Sequence, residues 1–215
     1  MPPSTLPIPS PPDGVAGSPF GLEALDRFYA FHAGIYDWTR PFLLFGREAA
    51  GRALRAGPGH LVLDVGCGTG WNLPRLARRG ATVVGIEPSA AMRRRAAERI
   101  RRRGLDSAVA LDPRAYGTHA EYEGQAHRIL FSYSLSMIPP FGDVLERARR
   151  DLVPGGRLVV VDFLDATGPV AAGLRRSHVH LGSGRLDALV RLLPAHEVRI
   201  GSVGLWRFYR FVGEA

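Results

Sequence analysis

The residues with most chemical promise lie in LDVGCGTG at 63–70, where glycines recur at 66, 68 and 70 behind an apolar run and ahead of a helical pattern. A strand that ends in glycines and opens a helix presents backbone N–H groups to an anion. In the dinucleotide pattern G-x-G-x-x-G a third glycine fills the sixth position, where helix and strand pack closely beneath a pyrophosphate. Here that position holds Trp71. The spacing G-x-G-x-G suits a ligand without pyrophosphate, whose amino-acid end brings a carboxylate to the helix N-terminus and an ammonium to an acid or carbonyls. Asp64 is the acid beside the loop. It either faces the ammonium, directly or through water, or only stabilises the loop. Glu87 closes VVGIE, 21 residues beyond Gly66. A carboxylate there can accept two hydrogen bonds from a ribose diol, the use made of an acid about 20 residues after a glycine loop in nucleotide-binding βαβ units.

A sheet must hold these groups. Apolar runs at 61–65 and 82–86 read as buried strands with a helix over 71–79 between them, one βαβ unit. Ser89 begins a helix to residue 103, and short strands follow at 108–111 and 128–132. A helix over 141–152, a PGG turn at 154–156 and a β-prone strand at 157–163 complete the alternation, which implies a parallel sheet. Residues 197–200 and 205–212, joined by a short glycine-containing connection, pair as an antiparallel hairpin. The expectation is an α/β, Rossmann-like fold with a mostly parallel seven-stranded sheet and helices on both faces. Ahead of it, helical spacing at 22–33 and 40–56 predicts a lid over 21–56 covering the cofactor end. Residues 1–20, with seven of the 17 prolines, read as a disordered lead-in to a single domain over 21–215.

S-adenosyl-L-methionine carries both the ammonium and the carboxylate that the loop suits. The GxGxG loop, GIEPSAAM and the PGG turn before VVVDF resemble class I S-adenosylmethionine-dependent methyltransferases over nearly all of residues 60–165. The resemblance implies that Gly66, Cys67, Gly68 and Gly70 hold the methionine end, that Glu87 takes the ribose, and that Pro88 to Met92 wall the adenine. It gives Asp112 as the nearest match to the acid that meets the adenine amine, although residues 113–117 depart from the usual pattern. S-adenosyl-L-homocysteine is then the product.

Three further segments carry the acceptor question: 28–48 with His32, Tyr36, Asp37 and Arg40; FSYSLSMIPPF at 131–141; and HVHLGSG at 178–184. Together they resemble the N-methyltransferases of betaine-lipid synthesis, which convert diacylglycerylhomoserine to its trimethylated form. The resemblance implies an amino-acid lipid acceptor and, as functional partner, the enzyme that makes it. Methyl transfer is an in-line displacement, helped by holding the reacting atoms in line and by a group that takes or relays the amine proton. Tyr36 and Tyr133 are the first candidates to orient the nitrogen and His178 the third. Tyr36, Ser132 and Tyr133 are also placed against the cofactor. His32, Arg40, Ser134, Ser136, Met137 and Arg175 are placed at the acceptor, where a guanidinium could take the homoserine carboxylate. Aromatic residues at these spacings serve equally as core, and a lone histidine is commonly structural. The competing acceptor is a soluble small molecule, methylated on N or O.

Composition narrows the partners. The net charge of +8 favours anionic surfaces, and RRRAAERIRRR at 93–103 could rest on an anionic membrane. All 28 basic residues are arginine, so codon bias accounts for part of the excess. With no aromatic-rich basic stretch and no amine motif of the asparagine-proline-proline-aromatic kind, nucleic acid is not expected. Cys67 is the single cysteine, so neither an internal disulfide nor a zinc site is expected. Without a secretory pattern or a spanning run, the expected place is the cytoplasm, peripheral to the membrane at most.

Overall fold

The computed structural model describes residues 44–120, 122–138 and 141–215. Strands β1 (Leu61–Val65) and β2 (Thr82–Ile86) form where the apolar runs predict them, each with four consecutive buried residues. Side chains alternate along a strand, so Val62 joins Val83, Leu130 and Val159 in one layer while Leu63 joins Val84, Ile129 and Val160 in the other. Burial on both faces is why these strands read as continuous apolar runs.

With β3 (Val109–Asp112), β4 (Ala126–Ser132), β5 (Leu152–Ala166), β6 (His196–Val203) and β7 (Trp206–Glu214), the sheet has the order β3-β2-β1-β4-β5-β7-β6. The first five strands are parallel, and β7 lies antiparallel between β5 and β6. This is the expected seven-stranded arrangement. The order reverses between β1 and β4, and a crevice at such a switch point, outside the carboxyl ends, is where open α/β sheets bind ligands.

Helices α1 (Arg47–Ala53), α2 (Leu73–Ala77) and α3 (Ala90–Arg101) cover one face through Ala50, Leu73, Leu76, Ala96 and Ile100. On the opposite face lie α4 (Phe141–Asp151), through Val144, Leu145 and Ala148, and, after α5 (Gly168–Arg176), α6 (Gly184–Leu192), through Leu189. In α3 the buried side chains Met92, Ala96 and Ile100 fall four apart, which turns the arginines outward. Ser89 caps it as expected, its hydroxyl accepting the Met92 N–H at 3.4 Å.

Some expectations change. The PGG turn does not separate two elements. Leu152 pairs with Ala126 and Arg157 with Arg128, so residues 153–156 bulge out of one continuous strand. Helices α5 and α6 were not expected, and α2 is shorter than the 71–79 pattern. The lead-in, the 22–33 helix and the first part of the 40–56 helix lie outside the described residues. No helix among the described residues is long and apolar enough to cross a membrane.

Candidate active site

The glycine loop crosses the carboxyl ends of β2 and β4. Gly66 and Cys67 both donate their N–H to the Ile86 carbonyl, at 2.9 and 3.1 Å. Gly66 has φ +67°, and a Cβ there would lie 2.5 Å from Ser134 Cβ, so only glycine lets the chain pass the end of β4. At Gly70, φ +74°, a Cβ would press on Ala96 at 3.0 Å, which sets how closely α3 approaches the loop. The Glu87 carboxylate joins both parts: Oε2 accepts the Gly68 N–H at 2.9 Å and Oε1 the Ser89 N–H at 3.0 Å.

Asp64 lies behind the loop, wholly buried. Burial pushes its carboxyl up to about 7, against the pull of the Asn72 hydrogen bond and the Arg47 charge, with Glu87 adding to the rise. Asn72 donates to Oδ1 at 3.5 Å, while Oδ2 has no hydrogen-bond partner among the described residues. A buried oxygen in that state is costly. An ammonium, or a water carried with it, would relieve it.

In front of the loop a cavity opens between Gly66 and Gly68, the Glu87–Pro88 turn with Met92, and the wall formed by Tyr133, Ser134, Met137 and Ile138. Ala115 and Tyr116 close the far side. They stand in the segment where the sequence departs from the familiar pattern. Tyr116 presents its ring to the cavity while its hydroxyl donates to Asp151 Oδ2 at 2.7 Å.

Several expected residues do other work. The Asp112 carboxylate, expected to meet adenine, accepts from Arg114 N–H and Nε at 2.9 Å each, from Arg114 Nη2 at 2.6 Å and from Tyr122 at 2.8 Å. Those bonds use its acceptor capacity, and Asp112 does not line the cavity. The Cys67 side chain turns into the apolar layer with Leu73 and Val83, so only its backbone belongs to the loop. Ser132 is half-buried off the cavity.

Tyr133 does line the cavity, in a left-handed conformation at φ +57° that favours functional or strained positions. Its hydroxyl donates to the Phe45 carbonyl at 2.7 Å. Burial first and the Asp162 charge second push it well above the usual tyrosine range, against Arg47. It is therefore a hydrogen-bonding and packing residue and not a base at neutral pH. Ser134 donates to the Val65 carbonyl at 2.6 Å, holding β4 against β1. Ser136 is fully buried with its N–H on Asp162 Oδ2 at 2.7 Å, and Met137 follows on the cavity wall. His178 and Arg175 are exposed at the end of α5 and do not line the cavity. Tyr36, His32 and Arg40 lie outside the described residues.

Sequence reasoning passed over Asp162. It is fully buried on β5, and its Oδ1 accepts the Phe163 N–H at 2.8 Å. Burial raises it to about 6 against hydrogen bonds from Ser136 and Phe163 and the Arg185 charge. It holds the turn Leu135–Met137 on which the cavity wall stands.

A seven-stranded sheet of this order, antiparallel only at β7, with a glycine cleft at its switch point and an acid after β2, is the arrangement of an α/β methyltransferase. A methyltransferase-domain family matches residues 62–156. A demethylmenaquinone methyltransferase of Mycobacterium marinum is 33% identical over 177 residues, covering 80% of this chain and 73% of the relative. Methyltransferase GfsG of Streptomyces halstedii is 39% identical over 108 residues, 49% of this chain and 38% of the relative. The fold matches geranyl diphosphate C-methyltransferase from Streptomyces coelicolor A3(2), solved with S-adenosyl-L-homocysteine, at a TM-score of 0.68 and 17% identity, covering 78% of this chain and 75% of that one. The chain belongs to the class I S-adenosylmethionine-dependent methyltransferases. It spans only 23% to 53% of the length of the first curated relatives it matches.

The cofactor of the family fits the residues present. Gly66 to Gly70 would take the methionine end, Asp64 Oδ2 its ammonium, Glu87 the ribose, and Pro88 and Met92 one side of the base. S-adenosylmethionine supplies an electrophilic methyl group on a sulfonium. Beside it the Tyr133 to Ile138 wall, fixed through Asp162, would position an acceptor and exclude water.

Proposed function

We propose that the protein methylates the amine of diacylglycerylhomoserine, in three transfers from S-adenosylmethionine. The observation that carries this reading is the SYSLSMIPP run. Its resemblance is to the betaine-lipid enzymes, and its residues Tyr133, Ser134, Met137 and Ile138 line the cofactor cavity. Apolar Met137 and Ile138 beside polar Ser134 suit an acceptor with an acyl body and a charged head. Identity to demethylmenaquinone methyltransferase over 80% of the chain favours a second reading, methylation of a quinone ring on a prenyl tail. Both acceptors are lipids.

One experiment separates them. Purified protein is incubated with methyl-labelled cofactor and either diacylglycerylhomoserine or demethylmenaquinone in detergent, and products are read by mass spectrometry. Mono-, di- and trimethylated headgroups are the expected result. Methylated quinone with unmodified diacylglycerylhomoserine would reverse the assignment.

A further inference from the structure

On the outer side of the cofactor loop a second depression runs between α1 and α2, apart from the methyl-transfer cavity. It is lined by five arginines, Arg47, Arg52, Arg75, Arg78 and Arg79, against one acid, Glu48. Trp71, the residue that took the sixth loop position, is its organising feature. The guanidinium carbons of Arg47 and Arg75 stand 4.1 and 3.7 Å from the indole centroid. Stacking on an indole fixes the plane of a guanidinium, and exposed Arg75 keeps the outer part of its N–H edge toward solvent, where an acceptor can meet it. Arg75 is tied further, donating to the Trp71 carbonyl at 2.8 Å, and Arg79 donates to the Gly51 carbonyl.

The like charges are held closer together than they would settle alone. The Arg75 guanidinium is drawn below its usual range, by burial first and then by Arg99, Arg103 and Arg78, with Glu48 opposing. A bound anion would relieve that repulsion. The floor has room, since a side chain begun at Gly51 meets nothing within 4 Å.

We propose that this groove binds a phosphate group, held by Arg75, Arg78 and Arg79 beside Trp71. Planar guanidinium forks match phosphate oxygens in pairs, and several converging forks suit the charge of a mono- or diester. The group can come from an anionic lipid headgroup or from a phosphate ester in solution. The proposal stands apart from the identity of the methyl acceptor.

The test uses the full chain with S-adenosylhomocysteine bound, at about 0.15 M salt, where diffuse surface attraction is largely screened. Probes are inorganic phosphate, followed by calorimetry, and vesicles of phosphatidylglycerol or of phosphatidylcholine alone, followed by sedimentation. Binding of phosphate without vesicles supports a soluble source. Binding of phosphatidylglycerol vesicles, displaced by phosphate, supports a lipid source. Arg75→Gln with Arg78→Gln should weaken binding at least about tenfold, and Gly51→Glu should abolish it. Arg101→Gln with Arg191→Gln removes the same charge from exposed positions outside the groove and should change binding less than about twofold. Unchanged S-adenosylhomocysteine affinity confirms that each variant is folded. Equal losses in the two double variants, or no binding of either probe, would overturn the site. So would capture of single-stranded RNA in the absence of both.

Discussion

Glu87 and Gly68 are joined by a 2.9 Å hydrogen bond from the loop backbone to a side-chain oxygen, while the other oxygen of the same carboxylate holds Ser89 at 3.0 Å. One residue therefore fixes the loop and the start of α3. Glu87→Ala should weaken S-adenosylhomocysteine binding by roughly 10- to 100-fold, since hydrogen bonds from the ribose diol to a carboxylate contribute about 1.5–3 kcal/mol. Calorimetric titration measures this, and an unaltered affinity would contradict the role.

Asp64 gives a pH signature. Burial pushes its carboxyl up to about 7 from the ordinary 3.8. Between those values the folded protein holds a proton that the unfolded chain releases. The contribution to stability is then fullest below about 3.8 and is lost as pH rises through about 7. A cationic ammonium selects the ionised form, so S-adenosylhomocysteine affinity should rise severalfold from pH 6 to pH 8. Asp64→Asn should flatten that rise, and an identical slope in the variant would remove Asp64 from the ammonium.

Asp112 should act on stability. It and Arg114 are both almost wholly buried, at 7% and 8% side-chain exposure. Burial alone would raise the Asp112 carboxyl, but hydrogen bonds from Arg114 and Tyr122 outweigh it and hold the group below its usual range. That stabilisation is present above the ordinary carboxylate value and is lost as pH falls through the lowered one. Asp112→Ala, which removes the carboxylate that a buried guanidinium and the Tyr122 hydroxyl both bond, should cost about 3 kcal/mol. Denaturant unfolding reads the loss. The S-adenosylhomocysteine affinity of the folded fraction should stay within about threefold of the parent, because the carboxylate is spent on Arg114 and Tyr122.

Asp162 should act on the acceptor. Asp162→Asn keeps an oxygen for one N–H but sets an amide against the other, loosening the Leu135–Met137 turn. The acceptor KM should rise severalfold with cofactor affinity near normal. Steady-state kinetics against both ligands separate the two, and a loss confined to the cofactor would exclude this role.

The parts legible in the sequence were those dictated by local pattern. β1 and β2 match to the residue because fully buried parallel strands leave uninterrupted apolar runs, and the loop of Gly66 to Gly70 and the acid Glu87, singled out by spacing, are groups that the fold brings into contact. α5 and α6 were hard to read because both are only nine residues long, each opens on a glycine, and Gly173 breaks the pattern inside α5. The bonds of Asp112 were not legible because Tyr122, one of its partners, lies ten residues on and is brought back by the loop. Asp162 was invisible because nothing in VVVDF announces that its carboxylate meets Ser136, 26 residues earlier.

The place of β7 bears on how the chain is made. The strand synthesised last among the seven is inserted between β5 and β6, pairing with both along most of its length. Until residues 206–214 have emerged from the ribosome, β5 keeps a long apolar edge without a neighbour and β6 has nothing to pair with. A nascent chain paused before Trp206 thus exposes the kind of open edge on which chains join one another. Translation speed through the codons of β7 should govern the soluble yield of this protein more than speed through its glycine loop.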